Sequence, residues 1–207
     1  MQTMNPKLIH PFTCTISGPT ASGKTVFTFK LISEANNLII PPPEKIIYCY
    51  GEYQEIFSDY PQVIFNEGLP DSDMFDGKQR TLLILDDLMT EAGTEVSNIF
   101  TKMSHHRDIS VVFLSQNMFY KSKHARTISL NTQYLVLFKN PRDALQVATL
   151  GRQMFPGNSK FLVEAFKMAT ENPYGYLFID LRAETLEKYR IRTNIFDPIH
   201  QYVYIPK

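Results

Sequence analysis

Residues Gly18-Pro19-Thr20-Ala21-Ser22-Gly23-Lys24-Thr25 read G-x-x-x-x-G-K-T, a spacing suited to holding a chain of phosphates. Its glycines let the backbone turn tightly and approach an anion closely. Successive backbone N–H groups, running into a helix N-terminus, would supply the donors. Lys24 would reach the β- and γ-phosphates of a nucleotide, and the Thr25 hydroxyl would serve Mg²⁺. Such a pattern can arise by chance in a glycine-containing turn, so its flanks matter. A β-prone run at 12–16 precedes it, and afterwards Phe27, Leu31, Ala35 and Leu38 fall on one helical face. Strand, loop and helix therefore come in the order that phosphate binding requires.

A second group of candidates follows the apolar run Thr81-Leu82-Leu83-Ile84-Leu85. Asp86, at the end of what reads as a buried strand, is placed to hold Mg²⁺. Asp87 has two readings. It can orient or deprotonate an attacking water, or it can cap the helix that follows. Many ATPases carry a glutamate there, and aspartate is one methylene shorter. Gln116 and Asn117 end the next strand-like run, 109–114. Where a strand is inserted between the phosphate-loop strand and the metal-binding strand, a polar tip of this kind touches the γ-phosphate or the water. A loop glutamine bonded to backbone is the plainer reading. The pair Asp86-Asp87 continues as Leu88-Met89 rather than D-x-x-G, and N-K-x-D is absent. Adenine is therefore expected over guanine, with ATP and Mg²⁺ as cofactors.

Arg107, in Ser104-His105-His106-Arg107, is the first candidate for a cation supplied to a neighbouring subunit's site, a role worth roughly 10³–10⁵ in rate. Arg126, Arg142 and Arg152 are weaker candidates, and each could equally be a surface arginine. His105 and His106 lack further ligands at metal-binding spacing, which favours polar positioning.

Strand-like runs at 45–50, 63–65, 81–85, 109–114 and 134–138 alternate with helical spacing. Among the latter, Ala92, Val96, Ile99, Phe100 and Met103 form one face, Leu145 and Ala148 another after Asn140-Pro141, and Phe161, Leu162, Ala165, Phe166 and Ala169 a last one. The runs are continuously apolar, as in strands covered on both faces. An α/β domain with a mainly parallel central sheet flanked by helices is expected, spanning residues 1–207 as one unit. Runs at 176–181 and 189–192 would pair as an antiparallel hairpin near the C-terminus. Residues 66–80, with Gly68, Pro70 and Gly77, read as a loop.

The bulk composition excludes little. Twenty-one basic and 21 acidic side chains cancel, 43% of residues are hydrophobic and 20% charged, so net charge advertises no nucleic-acid or membrane partner. Cys14 and Cys49, the two cysteines, sit in strand-like runs and read as buried thiols. A reducing compartment fits. The N-terminal residues show no signal-peptide pattern, and no run approaches the roughly 18 apolar residues of a membrane span.

The ordered blocks GPTASGKT, LLILDDLM, SHHRDISVVFLSQNMF and ISLNTQYLVLFKNPRD resemble the viral genome-packaging ATPases of the FtsK–HerA superfamily, most of all those of Polinton/Maverick elements and their virophage and poxvirus relatives. The blocks after the phosphate loop are the more specific ones. This resemblance implies a RecA-like P-loop ATPase core that assembles as a ring of five or six copies around double-stranded DNA. It implies packaging of a viral genome into a capsid, in the infected cell where virions assemble. By position it makes Lys24 and Thr25 the ATP and Mg²⁺ ligands, Asp86 the metal ligand, Asp87 the acidic catalytic residue, Gln116 the sensor and Arg107 the finger. Lys102, Lys121, Lys123 and Arg126 are candidate pore or interface cations, or solvated helix faces. Two other functions remain open. One is a P-loop kinase of a nucleoside or other small molecule, whose lid could lie at 139–152. The other is a non-catalytic module that binds ATP as an assembly switch.

Overall fold

The computed structural model describes residues 6–88, 93–99, 101, 108–117, 123–197 and 199–206. The long apolar runs become strands β2 (Thr13–Ser17), β4 (Lys45–Tyr50), β6 (Thr81–Asp86), β7 (Ile109–Ser115) and β8 (Tyr134–Phe138). With the edge strand β5 (Ile64–Glu67) they form a parallel block in the order β8-β2-β7-β6-β4-β5. Three antiparallel strands extend the other edge: β9 (Tyr176–Asp180), β10 (Ile191–Thr193) and β11 (Tyr202–Val203). The expected mainly parallel sheet with a C-terminal hairpin is present, and the hairpin carries one strand more than the sequence suggested. A separate two-stranded sheet joins β1 (Leu8–Ile9) to β3 (Ile39–Ile40).

Helices cover both faces, which is why the central strands are buried along their whole length. On one face, α1 (Lys24–Ser33) and the short α2 (Ala35–Leu38) lay Phe27, Phe29, Leu31 and Leu38 against Ile16, Tyr48, Ile84 and Leu114. On the other, α3 (Gly93–Asn98) and α4 (Lys123–Leu130) place Val96 and Ile128 against Leu83, Leu85, Val111 and Phe113. Val147 and Leu150 of α5 (Ala144–Met154) and Leu162 and Phe166 of α6 (Lys160–Ala169) cover Leu135, Leu137, Leu177 and Ile179. Neighbouring residues such as Ile84 and Leu85 thus face opposite layers, the period-two geometry of a strand.

Local differences from the sequence reading have local causes. The helical face Phe27–Leu31–Ala35–Leu38 is buried as expected, but Glu34 (φ −94, ψ 6) divides it into two helices. Leu145, expected on an inner face, is 72% exposed, and Val147, Leu150 and Gly151 are buried instead. Here the chain enters through a 3₁₀ turn at Pro141–Asp143, and the buried Asp143 carboxylate accepts from Asn140 Nδ2 at 2.8 Å. That bond sets the phase of α5. Of the face expected at 92–103, Val96 and Ile99 are buried, while Ala92, Phe100 and Met103 lie outside the described residues. Cys14 and Cys49 are free and buried, as expected.

At the sheet end away from the phosphate loop, the buried His10 has Nδ1 2.5 Å from Ser110 Oγ and Nε2 3.2 Å from Asp108 Oδ1. Burial lowers its pKa from 6.5, and the Asp108 carboxylate opposes part of that shift. On acidification the unfolded chain takes up this proton first, so stability falls as pH drops below 6.5 until the folded-state pKa is passed. Thermal melts between pH 7 and pH 5 are expected to fall more steeply for the native chain than for His10→Gln.

Candidate nucleotide site

Parallel pairing brings the chemistry-bearing residues to one end of the sheet. Strand β7 lies between β2 and β6, and the registers pair Ser17 with Ser115 and Asp86 with Leu114. The loop after β2, the carboxylates ending β6 and the polar tip of β7 therefore emerge side by side. This inserted-strand arrangement is the one in which a polar tip was expected to meet the site.

The loop 18–23 leaves β2 under tight steric control. Gly18 donates its N–H to Ser115 O at 3.1 Å. A Cβ built on Gly18 would lie 2.7 Å from Phe138 Cβ and 2.7 Å from Ser22 Oγ, so no larger residue fits. Gly23 caps α1 with φ +106, a left-handed conformation natural to glycine. Ala21 also has a positive φ, 60°. Pro19, Thr20, Ala21 and Ser22 span the turn, with Thr20 and Ala21 exposed. Ser17 Oγ and Ser22 Oγ are buried without a hydrogen-bond partner among the described residues, so polar groups at the loop remain unsatisfied by the protein itself.

Lys24 folds back, donating from Nζ to Gly18 O at 2.6 Å and Pro19 O at 3.0 Å. Burial lowers its pKa, and the carboxylates of Asp86 and Asp87 oppose the shift. Thr25, in the first turn of α1, is partly exposed. Asp86 is partly buried, and burial raises its pKa; Tyr48 lowers it, Asp87 raises it and Lys24 lowers it. Its Oδ2 accepts from Tyr48 Oη at 2.7 Å. Asp87 follows with φ 54, and its Oδ2 accepts from Gln116 Nε2 at 2.8 Å. Asp87 and Gln116 are both exposed at the mouth. This arrangement has the donors, the ammonium and the hard oxygen ligands that a Mg²⁺–nucleotide requires: loop N–H groups, Lys24 Nζ, Thr25 Oγ1 and Asp86 Oδ1.

Two expectations divide here. Gly18 to Thr25, Asp86, Asp87 and Gln116 converge. Arg107, together with His105, His106, Lys102 and Lys121, lies outside the described residues. Asp108, next in the chain, immediately precedes β7 at the far end of the sheet, and β7 runs seven residues, roughly 23 Å of strand. Arg126, Arg142 and Arg152 are exposed. Residues 139–152, the suggested lid, run through the 3₁₀ turn into α5, whose Val147 and Leu150 are core.

Tyr48 is a participant that sequence reasoning missed. It is fully buried on β4, its ring stacked on Phe29 of α1 at 5.4 Å and 10° between planes. A buried tyrosine must find a partner for its hydroxyl, which was the available signal. That the partner is Asp86 depends on β4 lying beside β6, with Tyr48 opposite Ile84.

Because burial raises the Asp86 pKa, the folded state holds that proton more tightly than the unfolded one. Stability from this group is lost as pH rises through the folded-state value. Asp86→Asn is expected to melt at a higher temperature than the native chain at pH 7, without nucleotide, the gap closing toward pH 4. Tyr48→Phe leaves a buried carboxylate oxygen unsatisfied, costing about 1–3 kcal/mol. In a double-mutant cycle, that cost should shrink in the Asp86→Asn background. Equal costs in both backgrounds would show that the hydroxyl acts elsewhere.

No protein-family model matches the chain, and no curated protein does. Solved structures of the genome packaging NTPase B204 from Sulfolobus turreted icosahedral virus 2 do match. The complex with AMPPCP superposes with TM-score 0.54 at 14% identity, covering 95% of this chain and 98% of that one. The complex with ATP-gammaS gives TM-score 0.52 at 15% identity, covering 98% and 99%. At this identity the likeness is one of fold: a P-loop NTPase-like fold, similar to that of a viral packaging enzyme, as the sequence blocks imply.

Proposed function

We propose that this chain is an ATP-hydrolysing, double-stranded DNA translocase that packages a viral or virus-like genome into a capsid, acting as one P-loop domain within a homo-oligomeric ring. The observation that carries hydrolysis is the Gln116–Asp87 hydrogen bond at the tip of an inserted strand, beside the phosphate loop. Residues 139–152 contribute Val147 and Leu150 to the core, which speaks against a lid that closes over a second substrate. Packaging is supported by the fold shared with B204 over nearly the full length of both chains. Partners in this reading are DNA and capsid components, at the site of virion assembly. Among the described residues no helix is long and apolar enough to cross a membrane.

In this reading the loop N–H groups from Pro19's successors to Thr25 cradle the phosphates. Lys24 exchanges the carbonyls of Gly18 and Pro19 for β- and γ-phosphate oxygens, which is a small rotation for a flexible stem. Thr25 Oγ1 and Asp86 would hold Mg²⁺, with Tyr48 fixing the orientation of the Asp86 carboxylate. When bound there, Mg²⁺ would supply positive charge against the transferring phosphate. Asp87 orients the attacking water and takes its proton. Gln116 fixes the Asp87 carboxylate and links it to β7. Arg107, by its place in the sequence blocks, would serve the neighbouring subunit.

Free phosphate release is expected to rise with long duplex DNA, with no phosphorylated acceptor formed. Lys24→Ala should reduce turnover by roughly 10²-fold or more. Asp87→Asn should lower kcat by about 10²–10⁴ while ATP still binds. Arg107→Ala should spare binding and lose turnover in the assembled ring. DNA affinity should fall steeply with salt, by about 0.9 in log–log slope per phosphate contacted. Hydrolysis indifferent to duplex DNA and to Asp87→Asn would overturn the motor reading.

A further inference from the structure

The reacting end of the site lies toward β6 and β7, where Asp86, Asp87 and Gln116 stand. A nucleotide whose terminal phosphates lie there must direct its other end the opposite way, across the start of α1 toward β8 and the C-terminal hairpin. A cleft of about 290 Å³ opens in that direction and shares Gly23 with the phosphate loop. Pockets for small molecules run from roughly 300 Å³ upward, so this one has room for a base rather than a whole nucleotide.

Its floor is aromatic. Phe27 of α1 meets Tyr176 at 4.8 Å and Phe196 at 4.9 Å between ring centroids, and Phe138 closes the base. One wall is Tyr174, 70% exposed, lying so close to the loop that a Cβ on Gly23 would be 3.2 Å from its ring. Tyr174 holds φ at 62°, a costly backbone for a bulky side chain and one that tends to persist where function requires it. Val26, 68% exposed, also lines the opening. At the rim stand Asn194 and Asp197. Both carboxylate oxygens of Asp197 are engaged by the N–H groups of Ile199 and His200 and by His200 Nδ1. Asn194 donates from Nδ2 to His200 O at 3.3 Å, which orients the amide and turns Oδ1 into an available acceptor.

We propose that this cleft takes the adenine base, which stacks on Tyr174 above the Phe27–Phe196 floor and donates from its exocyclic amine to Asn194 Oδ1. The proposal rests on the nucleotide reading above. Guanine would set a carbonyl against the same acceptor, so the cleft also selects between purines. The flat apolar faces of a base match an exposed aromatic ring, and the exocyclic amine donates to the Asn194 Oδ1 acceptor.

Binding of Mg²⁺ with ATP, GTP or inorganic tripolyphosphate to the full chain tests it. Tyr174→Ala should weaken ATP by about tenfold or more, the value of one base–aromatic stack, and leave tripolyphosphate within about twofold by the same reasoning. Asn194→Gly, which keeps the left-handed backbone of this position (φ 54) and removes the amide, should narrow the preference for ATP over GTP by about tenfold. The chain contains no tryptophan, so Tyr174→Trp adds a single reporter, which ATP should quench and tripolyphosphate should not. Melting curves confirm that each variant is folded. Equal losses for ATP and tripolyphosphate, or none for either, overturn the assignment of the cleft. Tripolyphosphate binding that ignores Lys24→Ala would instead overturn the phosphate-loop reading itself.

Discussion

The parallel register of β2, β7 and β6 is the constraint on which the site depends. Ser17 pairs with Ser115 and Asp86 with Leu114, so three strands end at one level. Backbone hydrogen bonds fix that level along the full length of each strand, which side-chain contacts alone could not do. The loop 18–23, the Asp86 and Asp87 carboxylates and the Gln116 amide then need no long connection to meet. Their separation is set by the 4.7–4.9 Å spacing of neighbouring strands. Gly18 adds the second restriction: it lies against Phe138 and Ser22 so closely that the loop has one way to leave β2.

The charges at these strand ends are held in mutual tension. Burial works against the ionised forms of both Asp86 and Lys24, and each lessens the other's penalty. Lys24 is satisfied by two loop carbonyls and Asp86 by Tyr48. These partners keep two partly buried charged groups from remaining unpaired, which would be far costlier. Tyr48 joins the carboxylate to α1 through its stack on Phe29, so the helix that begins at the phosphate loop and the strand that ends at Asp86 are one packed unit.

The C-terminal strands do more than close a sheet edge. Strands β8 and β9 pair from Phe138–Tyr176 to Tyr134–Asp180, which brings the turn containing Tyr174 back over Gly23. The segment after β10 folds onto Phe27 through Phe196. Thr193 Oγ1 donates to Tyr176 O, and Ile195 N to Tyr176 Oη, tying the two segments together. The far edge of the sheet thereby reaches the phosphate loop, although the residues involved are more than a hundred positions away in sequence.

Much of this was legible in the residues themselves. The G-x-x-x-x-G-K-T spacing is a local backbone device, and a local pattern carries its own geometry. Continuous apolar runs announced buried parallel strands, because burial on both faces leaves no polar alternation. The strand order, however, is a matter of which runs pair, and pairing is non-local. Only tertiary structure put β4 beside β6 and so gave Tyr48 its carboxylate, put Gln116 against Asp87, and brought Tyr174 to Gly23. Leu145 makes the same point in miniature, since its exposure follows from a 3₁₀ entry bonded through Asp143 rather than from helical spacing. The sequence by itself determined the phosphate loop and the kind of sheet that carries it, since both follow from interactions between near neighbours. The tertiary structure decided what surrounds that loop, because those contacts come from strand register and helix phase.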